Sequence, residues 1–181
     1  MKILCTGDSL TYGYGVKRSE TWCALASALT GHEFMNRGVN GATTGEMAEQ
    51  ELFGDELFVM GGLNNLFMGM PVTVPLADIR SLCRRAEERG IRPTVGIPMQ
   101  ISQEVSEGWC EGPIDMDLVR GAYADFACAL LRQCRKDGTD VIDFRPVVGP
   151  EHLSFDGIHL NRHGHERVAQ IVAAHWNGRR N

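Results

Sequence analysis

A chain of 181 residues is long enough to bury one real hydrophobic core and too short for two comfortable ones. Its 43% hydrophobic and 23% charged residues are the make-up of an ordinary globular domain. A net charge of −5 offers nothing to nucleic acid or an anionic membrane, and no apolar run is long enough to span a bilayer. The chain opens directly on a strand-like run with no leader-like segment before it, which reads as a cytoplasmic protein. The six cysteines (Cys5, Cys23, Cys83, Cys110, Cys128, Cys134) form no Cys-x-x-Cys pair. A zinc knuckle or redox dithiol is therefore not expected. All but Cys110, which falls in a polar loop, read as reduced core residues.

The first elements are the most informative. Lys2 to Thr6 is a short apolar run that stops at Gly7, and Asp8, Ser9 and a second glycine, Gly13, follow. This pattern reads as a buried strand giving out into a tight turn. In an open α/β sheet, ligands bind at the carboxyl ends of the strands, so Ser9 stands where a nucleophile belongs. Asp8 and Ser9 also suit the cap of a following helix. A phosphate cradle is the third use of such a turn, but no Gly-Lys-Ser or Gly-Lys-Thr follows.

A helix is expected from Glu20 to Leu29, with Trp22, Leu25, Ala26 and Leu29 on one face and Gly31 as its stop. A second strand, Glu33 to Val39, runs into the glycine-rich turn Gly38 to Gly45. Thr43 and Glu46 have capping-box spacing, so a helix starts there and runs to about Leu52. Leu57 to Met60 is the third strand and ends in Gly61-Gly62-Leu63-Asn64-Asn65. A helix follows from about Pro75 to Arg89, then a strand from Thr94 to Ile97. Pro98 to Asp115 has no regular pattern, and unstructured loops of that length are usually functional or disordered. The chain closes with a helix from Leu118 to about Lys136, a strand Asp140 to Phe144, a loop Arg145 to Leu160 and a helix from about Asn161 to Asn177. Five strand–helix alternations predict a single α/β domain over residues 1–181, built on a doubly wound parallel sheet.

Four polar clusters thus gather past strand ends: Ser9, the Gly41 turn, Asn64, and Asp156 with His159. Ester hydrolysis needs a nucleophile, a base, a group that orients the base, and N–H donors for the oxyanion. The four clusters supply each part once.

Gly7-Asp8-Ser9-Leu10, Asn40-Gly41-Ala42-Thr43, Gly61-Gly62-Leu63-Asn64 and Asp156-Gly157-Ile158-His159 resemble, in order and spacing, the four blocks of the SGNH (GDSL) hydrolases. The resemblance spans nearly the whole chain. It implies a flavodoxin-like three-layer α/β/α sandwich that hydrolyses carboxylic esters or thioesters without a cofactor or metal. It makes Ser9 the nucleophile, His159 the base and Asp156 its partner. The oxyanion donors it implies are Ser9 N–H, Gly41 N–H and the Asn64 side chain. Among relatives, the microbial arylesterases and the thioesterase/lysophospholipase type look nearest.

The third block departs from the usual Gly-Gly-Thr-Asn-Asp or Gly-Gly-Asn-Asp, because Leu63 precedes the Asn and Asn65 replaces the following Asp. Altered support or specificity is expected there, not lost catalysis. The stretch from Thr44 to Leu57 is also short for the family, which implies a shorter helix and a wider cleft. Candidate pocket residues are Asp8, Leu10, Leu63, Asn65, Phe67, Met68, Met99, Trp109 and Ile158, with Phe67 and Met68 as a soft apolar wall. His152, His159, His163 and His165 crowd one region, but their spacing matches no ligand set, and a solvated face is the simpler reading. The expected partner is a small-molecule ester. A carbohydrate O-deacetylase and a non-catalytic small-ligand binding module are the competing readings, and the sequence is silent on oligomeric state.

Overall fold

The computed structural model describes residues 1–103, 105 and 114–179; Trp109 and Cys110 lie outside the described residues. Five strands form one sheet: β1 (Lys2–Gly7), β2 (Glu33–Gly38), β3 (Glu56–Met60), β4 (Arg92–Ile97) and β5 (Asp140–Asp143). All neighbours pair in parallel in the order β2-β1-β3-β4-β5, which is the flavodoxin-like order. The α/β/α sandwich expected from the alternating pattern is the fold observed.

Among the described residues, seven helices accompany the strands: α1 (Ser9–Tyr12), α2 (Trp22–Thr30), α3 (Thr44–Glu49), α4 (Leu63–Phe67), α5 (Thr73–Glu87), α6 (Met116–Asp137) and, after the last strand, α7 (Arg162–Gly178). Helices α2 and α7 pack together on one face of the sheet, while α3, α5 and α6 pack on the other. Every side chain of β3 is buried, as expected for a central parallel strand covered on both faces. Between the sheet and the α2/α7 layer lies an aromatic cluster: Trp22 meets Phe58 edge-on at 5.1 Å and Trp176 meets Phe34 at 5.2 Å.

At the amino end of the sheet, α7 is pinned across three strands. The buried Glu56 carboxylate accepts from Trp176 Nε1 at 2.9 Å and from Arg179 Nη1 at 2.7 Å. The same guanidinium reaches Thr94 Oγ1 at 2.9 Å and the Asp140 carboxylate. A charge this buried is tolerable only because it is paired and hydrogen-bonded.

Several boundaries differ from the expected ones for identifiable reasons. Helix α2 starts at Trp22, because the Thr21 side chain caps it, and its buried stripe is Trp22, Cys23, Ala26 and Thr30. Leu29, expected inward, is 55% exposed. Helix α3 stops at Glu49, three residues before Leu52, where the Gln50 side chain turns to accept from Thr6 Oγ1 at 2.8 Å. Helix α5 starts two residues before Pro75, whose missing N–H falls in the first turn where no partner exists anyway. Strand β4 includes Pro93, since β5 pairing begins only at Thr94 and the proline costs that ladder no bond. Helix α6 begins at Met116 because Asp115 caps it, accepting from Asp117 and Leu118 N–H. Cys5, Cys23, Cys83 and Cys134 are buried as expected, but Cys128 is exposed.

The solvated histidine face is also corrected. His163 is exposed, whereas His165 is 1% exposed and its Nδ1 accepts the Trp22 N–H at 3.2 Å, stitching α7 to the start of α2. Among the described residues, no group of three or more His, Cys, Asp or Glu is placed to hold a metal ion, and no helix is long and apolar enough to cross a membrane.

Burial pushes the His165 pKa from 6.5 down to about 4. A protonated ring cannot accept the Trp22 N–H. The unfolded chain takes up this proton near pH 6.5 and the folded chain only near 4, so the group's contribution is full above 6.5 and is lost as pH falls toward 4. His165→Gln keeps an acceptor that does not titrate. Urea unfolding between pH 7 and 4.5 is expected to show stability falling less steeply in His165→Gln than in wild type, and parallel curves would refute this.

Candidate active site

Ser9 is placed by the residue before it. Asp8 Oδ1 accepts the Leu10 N–H at 3.0 Å and caps the four-residue helix α1, so Ser9 is its first residue. The capping expected of this turn is thus made by Asp8, and it leaves Ser9 at the first position of the helix. The N–H groups of a helix's first turn have no intrahelical partner. Ser9 N–H is one of these.

The last loop brings its own chemistry. Asp156 Oδ1 accepts the N–H groups of Ile158 and His159, each at 2.9 Å, while Oδ2 meets His159 Nδ1 at 2.7 Å. One carboxylate thus sets both the turn and the ring it carries. Ser154 N–H donates to His159 O at 2.7 Å and a bridge between Leu153 and Leu160 closes the loop. His159 Nε2 then stands 3.0 Å from Ser9 Oγ, 150 residues away in sequence. Burial pushes the Asp156 carboxyl up, but the His159 ring and the two N–H donors outweigh it, and the group lies below its usual value. An ionised carboxylate can only accept, so Nδ1 carries a proton toward Asp156, and Nε2 is the ring nitrogen that faces the serine.

The other loops are tied to this edge. Val39 N–H donates to Gly7 O at 3.0 Å, fixing the Gly41 turn against the end of β1. Asn64 Nδ2 donates to Ala42 O at 3.0 Å, which joins the β3 loop to the same turn and leaves its second hydrogen for another acceptor. Gly62 has φ +112°, and a Cβ there would meet the Phe126 ring at 2.6 Å. Only glycine lets α4 start this close to α6.

Beside Ser9, Asp8 is 1% exposed, and its Oδ2 has no hydrogen-bond partner among the described residues. Burial pushes this carboxyl up to about 7.

Most of the expected pocket residues sit elsewhere than at a cleft wall. Leu10, Leu63, Met99 and Ile158 are each less than 5% exposed and belong to the core beneath the site. Asn65 is also buried and faces away, with Oδ1 accepting from Thr44 N–H at 3.0 Å and lying 3.3 Å from Thr44 Oγ1. Phe67 is half-buried against the core, and Met68 is 61% exposed. An open hollow of about 370 Å³, with the exposed Phe155 on its rim, flanks the Asp156 turn. The sequence reading overlooked Tyr14, whose ring centroid lies 4.4 Å from that of His159. Its signal was the Gly13-Tyr14-Gly15 triplet, which sets a lone aromatic between two turn formers.

The GDSL-like Lipase/Acylhydrolase family profile matches residues 5–167. The chain belongs to this family. It is accordingly a carboxylic-ester hydrolase of the GDSL type. Solved structures agree in fold. A lipolytic protein of the G-D-S-L family from Veillonella parvula is 20% identical, with 98% of each chain covered and a TM-score of 0.82. The aryl esterase of M. smegmatis is 14% identical, with 98% of each chain covered and a TM-score of 0.83. Est24, a carbohydrate acetylesterase from Sinorhizobium meliloti, is 16% identical, with 98% of each chain covered and a TM-score of 0.75. No curated protein matches the chain in sequence.

The Asn65 departure from the usual GDSL pattern has a local physical reason. Thr44 Oγ1, against Asn65 Oδ1, also donates to Asp78 Oδ2 at 2.6 Å. A carboxylate at position 65 would set two negative charges around one hydroxyl. Asn65→Asp is therefore expected to lower stability at pH 7 by on the order of 1–3 kcal/mol, measured by urea unfolding. Adding Asp78→Asn is expected to recover most of the loss. A double variant no more stable than Asn65→Asp would rule out charge repulsion as the reason.

Proposed function

We propose that this GDSL hydrolase cleaves carboxylic esters of small to medium acyl groups through Ser9, His159 and Asp156. The observation that carries the reading is the unbroken row from Asp156 Oδ2 through His159 Nδ1 and Nε2 to Ser9 Oγ, at 2.7 and 3.0 Å.

In the proposed mechanism, Ser9 Oγ attacks the ester carbonyl as its proton passes to His159 Nε2. Asp156 holds the ring in the tautomer that can take this proton and stabilises the imidazolium formed. Ser9 N–H, Gly41 N–H and Asn64 Nδ2 receive the oxyanion. The Gly41 turn is exposed, with open space beside it, so a substrate oxygen can approach. The Nε2 proton then passes to the leaving alkoxide, which departs and leaves an acyl-Ser9. Water attacks that ester with His159 again as base, releasing the acid and restoring the serine.

A p-nitrophenyl ester series from acetate to octanoate tests the reading, with an acetylated sugar run beside it. Ser9→Ala is expected to abolish turnover, and the chain-length optimum in wild type sizes the acyl site. Asn64→Ala is expected to lower kcat about 10²–10³-fold, as removal of one oxyanion donor does elsewhere. Full activity in Ser9→Ala would sink the serine mechanism, full activity in Asn64→Ala the donor assignment. Turnover of the sugar acetate alone would favour the O-deacetylase, and binding without turnover by wild type a ligand-binding module.

A further inference from the structure

Tyr14 is carried by the same short element that presents Ser9. Gly13 N–H and Tyr14 N–H both donate to Ser9 O, at 3.0 and 3.1 Å, so the chain doubles back over the serine as α1 ends. Gly13 and Gly15 on either side have φ +89° and +81°, conformations that L side chains rarely adopt. A Cβ on Gly15 would meet nothing within 4 Å, so space does not dictate that glycine and backbone conformation does. The outcome is a tyrosine held between two left-handed turns, its ring tilted 37° to the His159 imidazole with centroids 4.4 Å apart. Tyr14 itself is half-exposed, whereas the imidazole it covers is 7% exposed. Tyr14 lies outside the hydrophobic core and sets its ring against that of His159.

The edges of the imidazole are already in use, with Nδ1 toward Asp156 and Nε2 toward Ser9. Both contacts depend on one setting of the ring. We infer that Tyr14 is a positioning residue, which lies across a face of His159, holds the ring in the setting that serves both partners, and shields its Nδ1–H bond to Asp156 from water. The inference rests on the proposed role of His159 as base. Tyr14 has no bond-making part. It acts through the fraction of molecules whose imidazole is aimed at Ser9.

The experiment combines kinetics with proton NMR on the intact protein, comparing wild type, Tyr14→Ala and Tyr14→Phe. Because Tyr14 is half-exposed, both variants are expected to fold. The Nδ1–H bonded to Asp156 should give a far-downfield resonance in wild type. In Tyr14→Ala that resonance should broaden through exchange with water. With a p-nitrophenyl ester, kcat should fall about two- to thirteen-fold, the range an aromatic pair accounts for, with KM unchanged. Tyr14→Phe keeps the ring and should restore both readouts. If either readout in Tyr14→Ala stays at its wild-type value, the inference is overturned. The same holds if KM alone changes, since Tyr14 would then be touching substrate, or if Phe fails to restore. A wild type lacking the downfield resonance overturns it as well. Failure of the proposed mechanism itself is seen separately, as turnover retained by Ser9→Ala, and the NMR comparison needs no turnover.

Discussion

All five strands run the same way, and the placement of every polar loop follows from that constraint. A parallel sheet puts every carboxyl end at one edge and needs a crossover helix to return each time. Ser9, Gly41, Asn64 and the Asp156 turn are far apart in sequence, yet each lies just past a strand or in the loop leaving one. The order β2-β1-β3 places the reversal of winding at β1, so the loops after β1 and β3 flank the switch point where open α/β sheets bind ligands. The opposite edge is dedicated to stability. There α7 is clamped to β3, β4 and β5 through Glu56 and Arg179. Holding one edge rigid lets the other carry loops of irregular backbone.

These loops are not free. Val39 bonds to Gly7, Asn64 to Ala42, Ser102 N–H to Gly157 O at 2.9 Å, and His159 to Ser9. Each bond ties a loop at one strand end to the end of another strand or to its loop, and two of the four are made by groups proposed to do chemistry there. Asn64 shows the economy of this. One of its amide hydrogens ties down the Gly41 turn and the other stays available.

Much of this was legible in the sequence because parallel α/β folds write it in local signals. Short strand-like runs, the first three of them running into glycine, marked the strands, the Thr43/Glu46 pair marked the start of α3, and the four blocks marked the polar clusters. What escaped depends on partners distant in sequence. Leu10, Leu63, Met99 and Ile158 neighbour the site residues along the chain, but adjacency says nothing about which way a side chain points, and all four point into the core. Asn65 looked like a pocket residue until Thr44 and Asp78 were seen around it. His165 read as solvated because its partner, the Trp22 N–H, is 143 residues away. Tyr14 escaped for the same reason: the Gly13-Tyr14-Gly15 triplet marks a turn, but the ring's partner is a histidine from the other end of the chain.

Two carboxyls within this edge show how environment, not residue type, assigns charge. Asp8 and Asp156 are almost equally buried, at 1% and 3% exposure. Desolvation is the largest influence on both and raises both. Asp156 is given a ring and two backbone N–H groups of its own turn, enough to overturn that influence and keep it ionised. Asp8 has the Leu10 N–H, while its Oδ2 meets no hydrogen-bond partner among the described residues, so burial wins and pushes the group up to about 7. The charge that survives is the one beside His159, where under the proposed mechanism it would stabilise an imidazolium. The carboxyl that burial pushes up is that of the residue preceding Ser9 in the chain. The donors aimed at each carboxyl, set by how each turn closes, thus push two buried aspartates of one edge in opposite directions.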